Sequence, residues 1–201
     1  MIPDQGRRID GDDPGASDEA RAARRADRDR TRDLLDLAEG RGDVPLLDDD
    51  GIEAVLRSAR RIAVVGASAD PARPSQGVLR TLLRHGYDCV PVNPDATEIL
   101  GLRAFPTVIA AVEATGPVDV VDVFRRAEMC VPHAEEAVAV GAACLWLQLG
   151  IVNREAARIA AAGGLSVVMD RCMAIELGRI GGVGPRPGVG PATADGPRPR
   201  A

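Results

Sequence analysis

Five short apolar runs, most of them followed by a segment of helical periodicity, constrain this chain more than any other feature. Ile62, Ala63, Val64 and Val65 form an uninterrupted apolar run that stops at Gly66, the pattern of a strand covered on both faces. A helix is expected over 75–85, with Val78, Leu79, Leu82 and Leu83 on one face and Gly86 as terminator. A short helix capped by Asp50, with Ile52, Val55 and Leu56 on its apolar side, precedes that first strand. The alternation continues with a strand over 89–92 stopped by Asn93-Pro94, a short helix over 107–112 and a strand over 118–124. A helix over 128–140 follows, in which Pro132 is tolerated only in the first turn. A strand over 145–149, a helix over 153–162 closed by Gly163 and Gly164, a strand over 166–169 and a helix over 172–180 complete the series. Strand and helix alternating this often predict an α/β fold, a Rossmann-like doubly wound parallel sheet of about five strands with helices on both faces.

Charge and composition set the limits of that domain. Residues 1–50 hold 15 acids against 9 arginines, a net −6, while the remainder sums to +1. The first 16 residues are rich in Asp, Gly and Pro, and a helix is expected from Ser17 to a stop at Gly40. Residues 181–201 contain 6 Gly and 5 Pro, the composition of a flexible tail. The expected division is an acidic, partly helical or disordered arm over 1–50, a packed domain over 51–180 and a tail over 181–201. Residues 17–40 are the candidate contact for a protein partner.

The same numbers exclude several function classes. A net charge of −5 argues against a generally basic nucleic-acid binder. The longest uncharged apolar run, 137–147, is broken by Gly141 and falls short of the ~18 residues of a membrane span. No apolar signal-peptide core opens the chain, so a cytoplasmic protein is expected. Cys89, Cys130, Cys144 and Cys172 are widely spaced, without a CxxC pair, and His85 and His133 are scattered, so neither a metal site nor a disulfide framework is expected. The absence of lysine, with all 25 basic residues being Arg, is read as coding bias.

In a doubly wound sheet, ligands bind beyond the carboxyl ends of the strands, so those ends are where function is read. After the first strand comes Gly66-Ala67-Ser68, then Arg73-Pro74-Ser75 at the start of a helix whose free N–H groups suit an anion. A dinucleotide fingerprint would need glycine where Ser68 and Pro71 stand. The second strand ends in Val92-Asn93-Pro94 and lacks the acid that binds a nicotinamide cofactor's ribose, which speaks against NAD and NADP.

Four stretches, IAVVGASADPARPSQGVLRTLLRHGYDCVPVNP, VDVVDVFRRAE, LWLQLGIVN and VVMDRCMAIE, together resemble the small bacterial CoA-binding protein family. Its domain is similar to the CoA-binding domain of the succinyl-CoA synthetase α subunit, and the resemblance spans about residues 52–180. It implies coenzyme A, or an acyl-CoA, as the small-molecule ligand, bound at the carboxyl edge of the sheet. Matched by motif, Gly66, Ala67, Ser68, Arg73 and Ser75 line the phosphate and adenosine part. Val92, Asn93 and Pro94 pass beside adenine or ribose, Phe124 and Arg125 supply a stacking face and a charge, and Gln148, Leu149 and Gly150 flank the pantetheine end. Three phosphates call for N–H groups and arginine forks.

Those synthetases also use a phosphorylated histidine and a partner subunit. Here neither histidine stands in a strand-end motif, and no nucleophile elbow or hydrolase triad order is found. A ligand-binding protein without catalysis of its own is therefore expected. Two alternatives stay open at this point: a CoA- or nucleotide-dependent enzyme needing a partner subunit, and a redox or metabolite sensor. For the sensor, Cys172 follows Asp170-Arg171 at a strand end and opens the last helix, where Arg171 and free N–H groups favour its thiolate.

Overall fold

The computed structural model of the protein describes residues 44–182, Gly184 and scattered positions between 17 and 32. The chain divides into two units, residues 1–41 and 42–201. In the first unit the described positions are helical from Asp18 onward, with the Arg21 N–H donating to the Ser17 carbonyl at 3.0 Å. The expected stop at Gly40 and nearly all of the tail lie outside the described residues.

The second unit is built on a parallel sheet. Its strands are β1 (Arg61–Val65), β2 (Asp88–Val92), β5 (Val120–Val123), β6 (Cys144–Leu147) and β7 (Ser166–Val168), in the order β2-β1-β5-β6-β7. Register is set by pairs such as Val64↔Pro91, Val64↔Asp122 and Asp122↔Trp146. Ile62, Val64, Val120 and Trp146 turn to one face and pack with α1 (Asp49–Ser58), α2 (Pro74–Arg84) and α6 (Met173–Arg179) through Leu56, Leu79, Leu82 and Leu177. The other face belongs to α3 (Val108–Thr115), α4 (Cys130–Ala139) and α5 (Arg154–Ala162), whose buried side chains are mostly alanine. Small side chains let α4 and α5 approach each other and the sheet closely. The fold is the doubly wound α/β sheet expected.

Several details differ from expectation. The N-cap of α1 is Asp48, whose Oδ1 accepts from the Gly51 N–H at 2.9 Å, and Asp50 lies inside the helix. Both orphan N–H groups and the positive helix end draw an acid to that spot, and the run Asp48-Asp49-Asp50 offers three candidates. A hairpin, β3 (Glu98–Ile99) with β4 (Leu102–Arg103), stands where no element is expected from the sequence. Its two turn residues, Leu100 and Gly101, both have positive φ, as a type I′ turn requires, although Leu-Gly lacks the usual Asn-Gly signature. The expected helix over 128–140 starts as a 3-10 turn, Ala127–Met129, before α4 proper, which places Pro132 in its first turn.

Both sheet edges are covered by single bridges: Phe105 beside Val92 on β2, and Leu46 beside Val167 on β7. Such covers block edge-to-edge pairing. The second bridge ties a residue before position 51 to the sheet. A cut at residue 51 falls inside α1, removes its cap, and strips Leu46 and Leu47 from β7 and the core. A fragment of residues 51–182 is therefore expected to be about 1–2 kcal/mol less stable than one of 42–182, the size of a lost cap with its bridge. Equal urea midpoints for the two fragments would show that the segment before α1 adds nothing.

Candidate ligand-binding site

From β1 the chain passes to β2 on one side, then crosses to β5 on the other, so the switch point lies between the carboxyl ends of β1 and β5. A cavity of about 910 Å³ opens there. Its size suits a cofactor or a drug-sized ligand.

Gly66 is the hinge of this arrangement. Its φ is +78°, and a Cβ there would stand 3.0 Å from the Phe124 carbonyl oxygen and 3.1 Å from Arg125 Cδ. Glycine lets the β1 and β5 loops close together at the switch point. The loop beyond it is held by its own side chains: Ser68 Oγ accepts from the Asp70 N–H at 3.1 Å, Asp70 Oδ1 accepts from the Ala72 N–H at 2.9 Å, and Gln76 Nε2 donates to the Ala69 carbonyl at 2.8 Å. Arg73 occupies the N-cap position of α2, with Pro74 next; no side chain caps this helix and no acid sits in its first turn. The positive end of the helix dipole thus faces the cavity uncompensated by the protein.

Gly66, Ala67, Ser68, Arg73 and Ser75 all line the cavity. So do Asn93 from the end of β2 and Phe124 with Arg125 from the end of β5. Asn93 is committed on both sides of its amide: Nδ2 donates to the Ala67 carbonyl at 2.8 Å and Oδ1 accepts from the Asp95 N–H at 2.9 Å. It ties the β1 loop to the β2 loop. Gln148 and Leu149, just past β6, complete the set.

Val92, Pro94 and Gly150 do not line the cavity. Val92 is 2% exposed as the last residue of β2, where the Phe105 bridge covers it. Gly150 donates its N–H to Asp170 Oδ1 at 2.6 Å and holds the β6 turn against the β7 turn. Sequence reasoning misses Arg126, Glu128, Met129, Ile151, Pro74 and Val78, which also line it. The first three stand directly after Arg125, in or beside the stretch RRAE, so a signal for them is present; Val78 reads only as a core residue of its helix.

Charge at the site is mainly positive. Arg73, Arg125 and Arg126 reach it, and none of the three is ion-paired among the described residues, while Glu128 is the acid in the lining. Cys172 lines the cavity as the N-cap residue of α6 and is partly exposed. Of its expected activators, Arg171 is engaged elsewhere, with Glu176 at 3.1 Å and Asp49 at 3.4 Å, while Asp170, whose charge opposes a thiolate, accepts from the Gly150 N–H. The other three thiols are buried, and burial pushes Cys89 and Cys130 up to about 12 and Cys144 upward as well. Neither histidine lines the cavity; His85 Nδ1 lies 2.8 Å from the Thr81 carbonyl oxygen and His133 3.2 Å from Glu136. Among the described residues no cluster of His, Cys, Asp or Glu forms a metal-ligand set, and no helix is long and apolar enough to cross a membrane.

A family model described as CoA binding domain matches residues 60–178. An uncharacterised protein of Bacillus subtilis, YneT, is 40% identical over 124 residues, which are 62% of this chain and 90% of that one. A hypothetical protein from Pyrococcus horikoshii superimposes with a TM-score of 0.63 at 38% identity, covering 66% of this chain and 92% of that chain. A protein from Thermus thermophilus gives 0.62 at 36% identity, with coverage of 67% and 99%.

Proposed function

Because the chain belongs to the CoA-binding domain family, we propose that it binds coenzyme A or an acyl-CoA at the switch-point cavity, and that it does so as a binding protein without catalysis of its own. One observation carries this reading. Three arginines without ion-pair partners among the described residues converge with the uncapped N-terminus of α2 on one cavity. Positive groups gathered around a concave surface attract a polyanion, and coenzyme A brings three phosphates. Leu149 and Met129, 61% and 46% exposed, give the rim apolar surface that suits the pantetheine arm or an acyl group.

Titration calorimetry tests the proposal. Coenzyme A is expected to bind, and to bind more tightly than NADH, because Ser68 and Asn93 replace the glycine and acid of a dinucleotide site. Arg73→Ala should weaken coenzyme A by tenfold or more, the roughly 1.5–3 kcal/mol of a charge-assisted contact. Pantetheine, which carries no phosphate, should be unaffected. Tighter binding of NADH than of coenzyme A would overturn the proposal, and equal losses for both ligands would reduce Arg73 to a loop-shaping role.

A second reading rests on Cys172 in the cavity lining. Its Sγ would attack the S–S bond of coenzyme A disulfide, forming a mixed disulfide and releasing one coenzyme A thiolate. Intact mass after incubation with that disulfide should rise by one coenzyme A in the wild type and not in Cys172→Ser.

A further inference from the structure

Asp122 interrupts the apolar strand β5, Val120–Val123, and is 0% exposed. Its Oδ1 accepts from Gln148 Nε2 at 2.8 Å, and its Oδ2 has no hydrogen-bond partner. A buried carboxyl group with an unpartnered oxygen is destabilising, and a packed core gives no reason to keep one. Its one partner, Gln148, is 3% exposed and lines the cavity. With Nε2 turned down to Asp122, the free end of that amide is Oε1, which accepts no hydrogen bond among the described residues.

We propose that Asp122 is a positioning residue that sets which end of the Gln148 amide the cavity sees. An ionised carboxylate only accepts hydrogen bonds, so it holds the Gln148 NH2 and presents the carbonyl oxygen to the ligand. A ligand amide N–H is the matching donor, and the pantetheine arm carries two. Protonated, the carboxyl group donates its O–H to Gln148 Oε1, the amide turns over, and the cavity sees an NH2 that repels the same N–H. The groups around Asp122 leave this choice to the carboxyl proton alone. Val64 on β1 and Trp146 on β6 are its register partners. Leu79 on α2 and Met173 on α6, in the core on that face, are apolar. The titratable groups facing it are the thiols of Cys89 on β2 and Cys144 on β6, both kept neutral by burial. Burial likewise raises the Asp122 carboxyl from its ordinary 3.8 to about 7, against the lowering by Gln148.

The naming of a pantetheine amide rests on the coenzyme A reading; the positioning of Gln148 does not, and two measurements separate them. In the first, coenzyme A and adenosine 3′,5′-bisphosphate, which lacks the amides, are titrated into wild type and Asp122→Asn at pH 6 and pH 8.5. Comparing proteins at one pH cancels the ionisation of the ligands. The variant is expected to match wild type for both ligands at pH 6, and to bind coenzyme A three- to tenfold more weakly at pH 8.5 with the bisphosphate unchanged. A loss that is the same for both ligands or at both pH values means a structural role and overturns the assignment. In the second, the side-chain amide resonances of Gln148 are followed by NMR without ligand. They should titrate with a midpoint near 7 in wild type and stay flat in Asp122→Asn; resonances that do not move in wild type, or move alike in both, overturn the positioning. If neither ligand binds wild type while those resonances titrate as expected, the coenzyme A reading falls and the positioning stands.

Discussion

Between pH 5 and pH 8 the protein is expected to lose about 2–3 kcal/mol of stability through Asp122 alone. Burial holds its folded-state carboxyl at about 7 against an ordinary 3.8. The native state therefore keeps a proton that the unfolded chain gives up near pH 4. The resulting stabilisation is fully present below that unfolded value and disappears as the pH rises through about 7. Urea unfolding at the two pH values measures the loss, and Asp122→Asn, which has no proton to lose, serves as the reference. The variant should show a pH dependence smaller by that amount and should be the more stable protein at pH 8. Parallel pH profiles would mean that the buried carboxyl does not titrate in this window. A variant more stable than wild type but poorer at recognising its ligand would identify Asp122 as a residue kept for its site rather than for the fold.

Trp146→Ala is expected to cost about 3–5 kcal/mol, the largest single loss among these substitutions. The indole is fully buried on an interior strand of the sheet, and its Nε1 donates to the Arg171 carbonyl at 2.7 Å. Removing the ring opens a cavity between β6 and its covering helices and leaves that carbonyl without its donor. Trp146→Phe keeps most of the volume and should recover all but the hydrogen-bond share, about 1 kcal/mol. Because Arg171 precedes Cys172, the bond also fixes the turn that brings the thiol to the cavity. A loss under 1 kcal/mol for the alanine variant would show that the core closes over the gap.

The β1 side of the site is legible in the amino-acid sequence. Gly66 ends an apolar run and precedes a helix with proline in its first turn, and that local grammar places Ala67, Ser68, Arg73 and Ser75 at a strand end. The β5 side is legible only in part. The stretch VDVVDVFRRAE points to Phe124 and Arg125, yet its second acid, Asp122, inside the apolar strand Val120–Val123, carries the stronger physical signal. A charged residue in a strand covered on both faces needs a reason, and Asp122 has one in Gln148, 26 positions away. The β3–β4 hairpin escapes a sequence reading because Leu100 takes a positive φ that its residue type does not advertise.

Local patterning alone sets the class of fold, the number of main strands and their succession along the chain, since apolar periodicity and glycine punctuation need no partner to be read. It also marked the strand end at Gly66 as a candidate site, and Gly66 lines the cavity. Strand order is not local: that β5 lies beside β1, and so puts Phe124 and Arg125 opposite Gly66, follows from how five covered strands share one sheet. The same holds for the pairing of Asp122 with Gln148, the cover that Leu46 lays over β7, and the withdrawal of Arg171 from Cys172 to Glu176 and Asp49. Each joins residues from separate elements, and their energies depend on burial and distance, quantities that exist only once the chain has folded.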